Sequence, residues 1–62
     1  MKVRVLLRQL HEDGWYLARQ KGSHRQLKHP EKPGTVPVPG HPNDEFNPKT
    51  LQSILKQAGY KS

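Results

Sequence analysis

The stretch WYLARQKGSHRQLKHP, residues 15–30, decides the fold. Its first part mixes aromatic and aliphatic residues with polar ones, Gly22 and Ser23 then supply a turn, and a second mixed run follows. This pattern predicts a β-hairpin with strands at about residues 15–21 and 24–29. Because successive strand residues point to opposite faces, we expect Leu27 to face the core and His24 to lie on the opposite, exposed face.

Apolar residues before the hairpin repeat at helical spacing. Val3, Leu6, Leu7 and Leu10 follow the i, i+3, i+4, i+7 pattern that places side chains on one stripe of a helix. The pattern predicts a first helix at about residues 2–12. Gly14 follows it and supplies the left-handed stop that a residue without a Cβ adopts at low cost.

Two further elements follow the hairpin. Val36 and Val38 alternate with prolines and predict a short third strand at about residues 35–39, and Pro37 predicts a sheet edge because proline donates no ladder hydrogen bond. Asn47 and Pro48 are a typical N-cap and first helical residue, and they predict a second helix at about residues 48–58. The apolar stripe of that helix is Leu51, Ile54, Leu55 and Ala58.

The predicted order is therefore α-β-β-β-α, an α+β fold in a single small domain over residues 1–62. Two amphipathic helices and a three-stranded antiparallel sheet can bury their apolar sides only when both helices pack on one face of the sheet. The other face of the sheet is then left open. At this length the core has to be small.

The charge balance points to a polyanionic partner. Eleven Lys and Arg residues against five Asp and Glu give a formal net charge of +6. The basic residues concentrate between positions 19 and 32, where only Glu31 opposes them. They are Arg19, Lys21, Arg25, Lys28 and Lys32. A solvated, solubilising surface is the alternative interpretation of this run.

Several classes of function are disfavoured. The chain has no Cys and no HxH or HExxH spacing, so neither disulfides nor a metal site is expected. No apolar run approaches the roughly 18 residues that span a bilayer, so we expect a cytoplasmic protein with no membrane association. Ser23 and His24 are adjacent in a strand and point to opposite faces, which excludes a nucleophile–base pair.

The four histidines are the candidates for proton transfer at neutral pH. His11 lies late in the first helix, His29 precedes a proline at a strand end, and His41 lies in a loop. His24 is the strongest candidate, because it follows a turn, is expected to be exposed and has basic neighbours. A histidine can take the proton from a ribose 2′-OH or protonate the leaving oxygen, while nearby cations stabilise the transition-state charge.

The sequence also resembles the HicA (YcfA-like) toxin family along nearly its whole length. The matching segments include Gly22-Ser23-His24 and the closing run from Ser53 to Gly59. The resemblance implies a fold similar to the double-stranded-RNA-binding domain, mRNA cleavage without a cofactor, and a HicB-like antitoxin as the partner. It places the family histidine at His24. Proximity adds Lys21, Ser23, Arg25 and Lys28 as expected RNA-binding residues.

Two other functions fit the same features. A non-catalytic basic RNA-binding module would use the patch only for phosphate contacts and counterion release. A pure interaction domain would use it to bind an acidic antitoxin chain. A ribonuclease neutralised by its antitoxin is the function that the sequence favours.

Overall fold

The two amphipathic stretches form helices and the segment between them forms a three-stranded sheet, in the predicted order α-β-β-β-α. A computed structural model describes residues 1–60, so positions 61 and 62 of the predicted domain lie outside the described residues. The elements are α1 (Val3–Glu12), β1 (Tyr16–Lys21), β2 (His24–Lys28), β3 (Val36–Val38) and α2 (Pro48–Gln57).

The sheet is antiparallel with the order β1-β2-β3, so β2 is its central strand. Pro37 pairs with Gln26 and lies in β3, an edge strand. The edge position predicted from this proline is therefore confirmed. An edge strand has a neighbouring strand on one side only, so the sheet tolerates a residue without a backbone N–H there.

Both helices pack on the sheet face that carries Leu27, Val36 and Val38. Trp15, which follows α1, is also buried there, with 1% of its surface exposed. Within the described part of the chain, residues 1–60, the opposite face carries no helix. Among residues 1–60, the buried core residues are Val3, Leu6, Leu10, Trp15, Leu27, Val36, Val38, Ile54 and Ala58.

The two helices begin in different ways. Asn47 caps α2, because its side-chain oxygen accepts a 2.9 Å hydrogen bond from the backbone N–H of Lys49. Helix α1 has no side-chain cap. Instead, the loop before α2 supplies backbone carbonyls: Asp44 accepts from the N–H of Val3 at 2.9 Å, and Pro42 accepts from that of Arg4 at 3.0 Å. This loop therefore fixes where α1 starts.

His29 joins the two turns that flank the hairpin. Its Nε2 lies 2.7 Å from the backbone carbonyl of Asp13, and its Nδ1 accepts hydrogen bonds from the backbone N–H groups of Glu31 and Lys32 at 3.0 and 3.1 Å. Since Nδ1 is the acceptor, Nε2 carries the hydrogen that is donated to Asp13. The ring also packs edge-on against Trp15, with the centroids 5.2 Å apart. His29 is therefore engaged in the architecture.

Gly14 lies directly under this ring. Its φ is +102°, and a Cβ built on it would come 2.6 Å from His29 Nε2. Only glycine combines this backbone conformation with such a close approach. The ring and the glycine therefore depend on each other.

Replacing Gly14 by alanine should destabilise the fold more than the same change at Gly34. Gly34 also has a positive φ, +86°, but nothing lies within 4 Å of the position that a Cβ would take there, so Gly34→Ala carries only the backbone strain of about 1–2 kcal/mol. Gly14→Ala also displaces His29 from its hydrogen bonds, at a further cost of about 1 kcal/mol or more. Urea unfolding of both variants measures the difference, and equal losses would show that the contact is unimportant.

Candidate functional site

His24 is the first residue of β2 and follows the turn that closes the hairpin. Gly22 makes the turn possible with a φ of +59°. The His24 side chain is exposed, as expected, and lies on the face opposite Leu27. Among residues 1–60, no group hydrogen-bonds the His24 ring. Both ring nitrogens are therefore available to a ligand.

The neighbouring strand brings basic side chains to the same face. Lys21 is paired with His24 across the hairpin, and Arg19 is paired with Gln26. Directly paired residues have Cβ atoms about 4.5–5.5 Å apart and share a face of the sheet. These paired residues of β1 and β2 form a groove, which we call the sheet groove. It is lined by Ala18, Arg19, Gln20, Lys21, His24, Gln26, Lys28 and Thr35.

A β-bulge at Ala18 determines which residues of β1 reach this face. Leu17 is paired with Leu27 and Arg19 with Gln26, so Ala18 is the extra residue. Without the bulge, regular alternation would place Arg19 and Lys21 on the same side as Leu17. The bulge therefore lets one strand present Leu17 towards the helices and both cations towards His24.

Lys28 and Ser23 also lie near His24. Lys28 is exposed and lines the sheet groove, two residues along β2 from Gln26. Ser23 is half-buried in the turn, and its backbone carbonyl accepts from Arg25. The structure thus brings Lys21, Ser23 and Lys28 to the neighbourhood of His24.

Arg25 does not join them, which corrects the expectation of one continuous basic patch. Its side chain is half-buried on the helix side of the sheet, beside Leu27. One guanidinium nitrogen donates to the carbonyl of Gly40 at 2.8 Å and to that of Ser23 at 3.3 Å. Arg25 therefore ties the hairpin turn to the loop after β3, and its expected RNA contact is not supported by this geometry.

A second groove meets the first at His24. It lies between the end of β3 and α2, and sequence reasoning missed it. The sequence signal for its helical side is the polar stripe of α2, which repeats at helical spacing. This helix groove is lined by His24, Pro37, Pro39, Lys49, Thr50, Ser53, Ile54 and Gln57.

The comparison with protein families identifies the family to which the fold and the His24 site belong. The model of the HicA toxin of bacterial toxin–antitoxin systems matches residues 3–60, which include both helices, the sheet and His24. The chain belongs to the HicA toxin family. The comparison with curated proteins finds no match.

The other basic residue of the predicted patch, Lys32, is engaged elsewhere in this HicA-family chain. Its Nζ donates to Asp13 Oδ2 at 2.8 Å and to the carbonyl of Ala58 at 3.4 Å, and it lies 5.6 Å from the centre of the Tyr60 ring. Lys32 thus connects the ends of the two helices. It contributes no cation to the sheet groove.

This ion pair changes the acidity of its neighbours. The hydrogen bond from Lys32 lowers the pKa of Asp13 below its ordinary value. Burial, and then the negative charge of Asp13, raise the pKa of Tyr60. Both shifted groups lie in the cluster at the helix ends, away from His24.

The remaining candidates of the HicA-family chain do not join the site. His11 lies on the helix side, where it lines a shallow groove with Trp15 and Leu17. His41 is exposed in the loop after β3 and its backbone N–H donates to Asp44 Oδ2 at 3.0 Å.

Within residues 1–60, no group of three or more His, Cys, Asp or Glu side chains is placed to hold a metal ion. None of the helices in that range is long and apolar enough to cross a membrane.

Replacing Asp13 by asparagine should lower the melting temperature at about pH 7 and have less effect at about pH 3. A carboxyl with a lowered native pKa stabilises the fold above its unfolded pKa, near 3.9, and this contribution is lost as the pH falls through the native pKa. Thermal unfolding of Asp13→Asn and wild type at both pH values measures it. Glu12→Gln removes an exposed neighbouring carboxylate as the control. A difference in melting temperature that is independent of pH would contradict the assignment.

Proposed function

We propose that this chain is an endoribonuclease that cleaves mRNA with His24 as a general acid or base, and that a HicB-like antitoxin neutralises it. The observation that carries the proposal is the His24 ring, which is exposed on the helix-free sheet face and has no hydrogen-bond partner among residues 1–60. His24 is paired with Lys21 across the hairpin. Membership of a family of toxins supports it. Since the proposed substrate is mRNA, the proposed place of action is the cytoplasm.

The electrostatics of the sheet groove favour a phosphodiester. Arg19, Lys21 and Lys28 line it, and none of its lining residues is acidic. Three of the five carboxylates of the chain are bonded elsewhere: Asp13 to Lys32, Glu45 to the N-terminal amine, and Asp44 to a backbone N–H. An RNA strand in the groove therefore meets cations that no acidic residue of the groove neutralises.

The chemistry follows from RNA itself. The ribose 2′-oxygen attacks the adjacent phosphorus, a new O–P bond forms, and the bond to the 5′-oxygen of the next nucleotide breaks. His24 takes the proton from the 2′-OH or donates one to the leaving oxygen, a contribution of about 10²–10⁴ in rate, and water exchanges the other proton. The products are a 2′,3′-cyclic phosphate and a free 5′-OH. Lys21 is placed across the strand pair to stabilise the charge that develops on the phosphate oxygens. The route uses no metal ion or other cofactor.

The first test is cleavage of a single-stranded mRNA fragment by wild type and by His24→Ala. The alanine variant should lose about 10²–10⁴ in rate while retaining its affinity for RNA, because phosphate contacts supply most of the binding. His11→Ala is the matched control, since it removes an exposed histidine from the opposite side of the sheet. Wild type should remain active in EDTA. Equal cleavage by wild type and His24→Ala, with His11→Ala also unchanged, would contradict the catalytic role of His24. RNA that wild type binds and leaves intact would favour a binding module.

The second test concerns the partner. We propose that the antitoxin covers the helix-free face and blocks His24, so Lys28→Glu should weaken the affinity for both RNA and a HicB-like antitoxin. Lys56→Glu makes the same charge change at an exposed position of α2 outside both grooves and should weaken neither strongly. Titration calorimetry with each ligand measures both. Antitoxin binding that survives Lys28→Glu while RNA binding falls would show that the surfaces are separate.

A further inference from the structure

The two grooves described above meet at one side chain. The sheet groove lies on the β1 and β2 side of His24, and the helix groove lies on the β3 and α2 side. His24 lines both of them. A strand that places a phosphate against this ring therefore has a groove on each side of that phosphate.

The helix side of the second groove is a single stripe of α2. Lys49, Ser53 and Gln57 follow one another at intervals of four residues, and Thr50 lies beside them, so these polar side chains share a face. Ile54 is buried beneath them. The cap from Asn47 fixes the first turn, which carries Lys49. The stripe is thus held in place beside His24.

The chemistry of this lining suits single-stranded RNA. Lys49 supplies a cation, and no lining residue of the helix groove is acidic. The hydroxyls of Thr50 and Ser53 and the amide of Gln57 both donate and accept hydrogen bonds, as unpaired base edges and ribose hydroxyls require. Pro37 and Pro39 add apolar surface for the plane of a base.

We propose that the helix groove is a second RNA subsite. It holds the nucleotides on one side of the scissile phosphate, beside which His24 acts as general acid or base, while the sheet groove holds those on the other side. This inference rests on the proposed function and extends it: the enzyme cuts within a strand because it grips the strand on both sides. Lys49 is then a phosphate-binding residue, and Thr50, Ser53 and Gln57 are the residues that contact bases or riboses on that side.

The charge test compares two lysines of one helix. Lys49→Gln should weaken the binding of a 2′-O-methyl RNA strand several-fold and reduce the slope of log K against log salt by about 0.7, the value for one phosphate contact of a single strand. Lys56→Gln makes the same change at an exposed position outside the groove and should bind like wild type. The 2′-O-methyl strand has no attacking hydroxyl, so fluorescence anisotropy reports binding without cleavage.

A second pair of variants tests the groove without a change of charge. Ser53→Leu fills the helix groove and should weaken the same strand several-fold, whereas Gln52→Leu places an equal side chain on an exposed position outside it. Circular dichroism of both variants confirms that α2 is intact. Ser53→Leu should also reduce cleavage of an unmodified strand.

The outcomes separate this inference from the proposed function. If Lys49→Gln and Lys56→Gln bind equally and Ser53→Leu binds like wild type, the second subsite is wrong, even where His24→Ala abolishes cleavage. If Ser53→Leu loses antitoxin binding and keeps RNA binding, the groove belongs to the antitoxin and the inference is overturned. If His24→Ala cleaves as fast as wild type, the proposed catalysis fails, while the loss of RNA affinity in Lys49→Gln still supports the subsite.

Discussion

The hydrogen bonds of the His29 ring connect the turn before the hairpin to the turn after it, so much of the molecule depends on them. One ring nitrogen faces the carbonyl of Asp13 and the other accepts two backbone N–H groups of the following turn. Because both turns are fixed relative to each other, β3 is guided back along β2 and Trp15 is held in the core. In so short a chain with a small core, a few directed polar contacts have to position elements that larger proteins position by packing.

The open face of the sheet is a consequence of the short chain, which has only two helices to cover the sheet. Two helices of ten residues cover the inner side of the sheet, and nothing in residues 1–60 covers the outer side. Because of the bulge at Ala18, β1 contributes side chains to both faces of the sheet. Leu17 is paired with Leu27 on the helix side, and Lys21 is paired with His24 on the open side. The placement of His24 and Lys21 on one exposed face is therefore a product of strand geometry.

Most of the fold could be predicted from the sequence, because the helical stripes, the glycine stop at Gly14 and the valine–proline alternation are local signals. The exposure of His24 could also be predicted, because strand alternation places it on the face opposite Leu27. The same alternation places Arg25 on the face of Leu27, so the sequence also contains the signal that Arg25 points towards the helices. The prediction of an RNA contact for Arg25 relied on its charge instead. The bulge at Ala18 could not be predicted, because it depends on how β1 pairs with β2, and no residue of β1 signals the shift in register. The engagement of Lys32 could not be predicted either, because its partners lie 19 and 26 residues away along the chain.

Strand β1 is an edge strand of the sheet and all six of its residues are exposed, including Leu17 with 52% of its surface accessible. An uncovered edge of this kind is a template on which further copies of the chain could stack through main-chain hydrogen bonds. Arg19 and Lys21 occupy this edge, and the bulge twists it, which are two of the devices by which sheets avoid self-association. The cations that face a phosphate in the proposed complex thus also oppose edge-to-edge pairing of two copies, because like charges repel each other there.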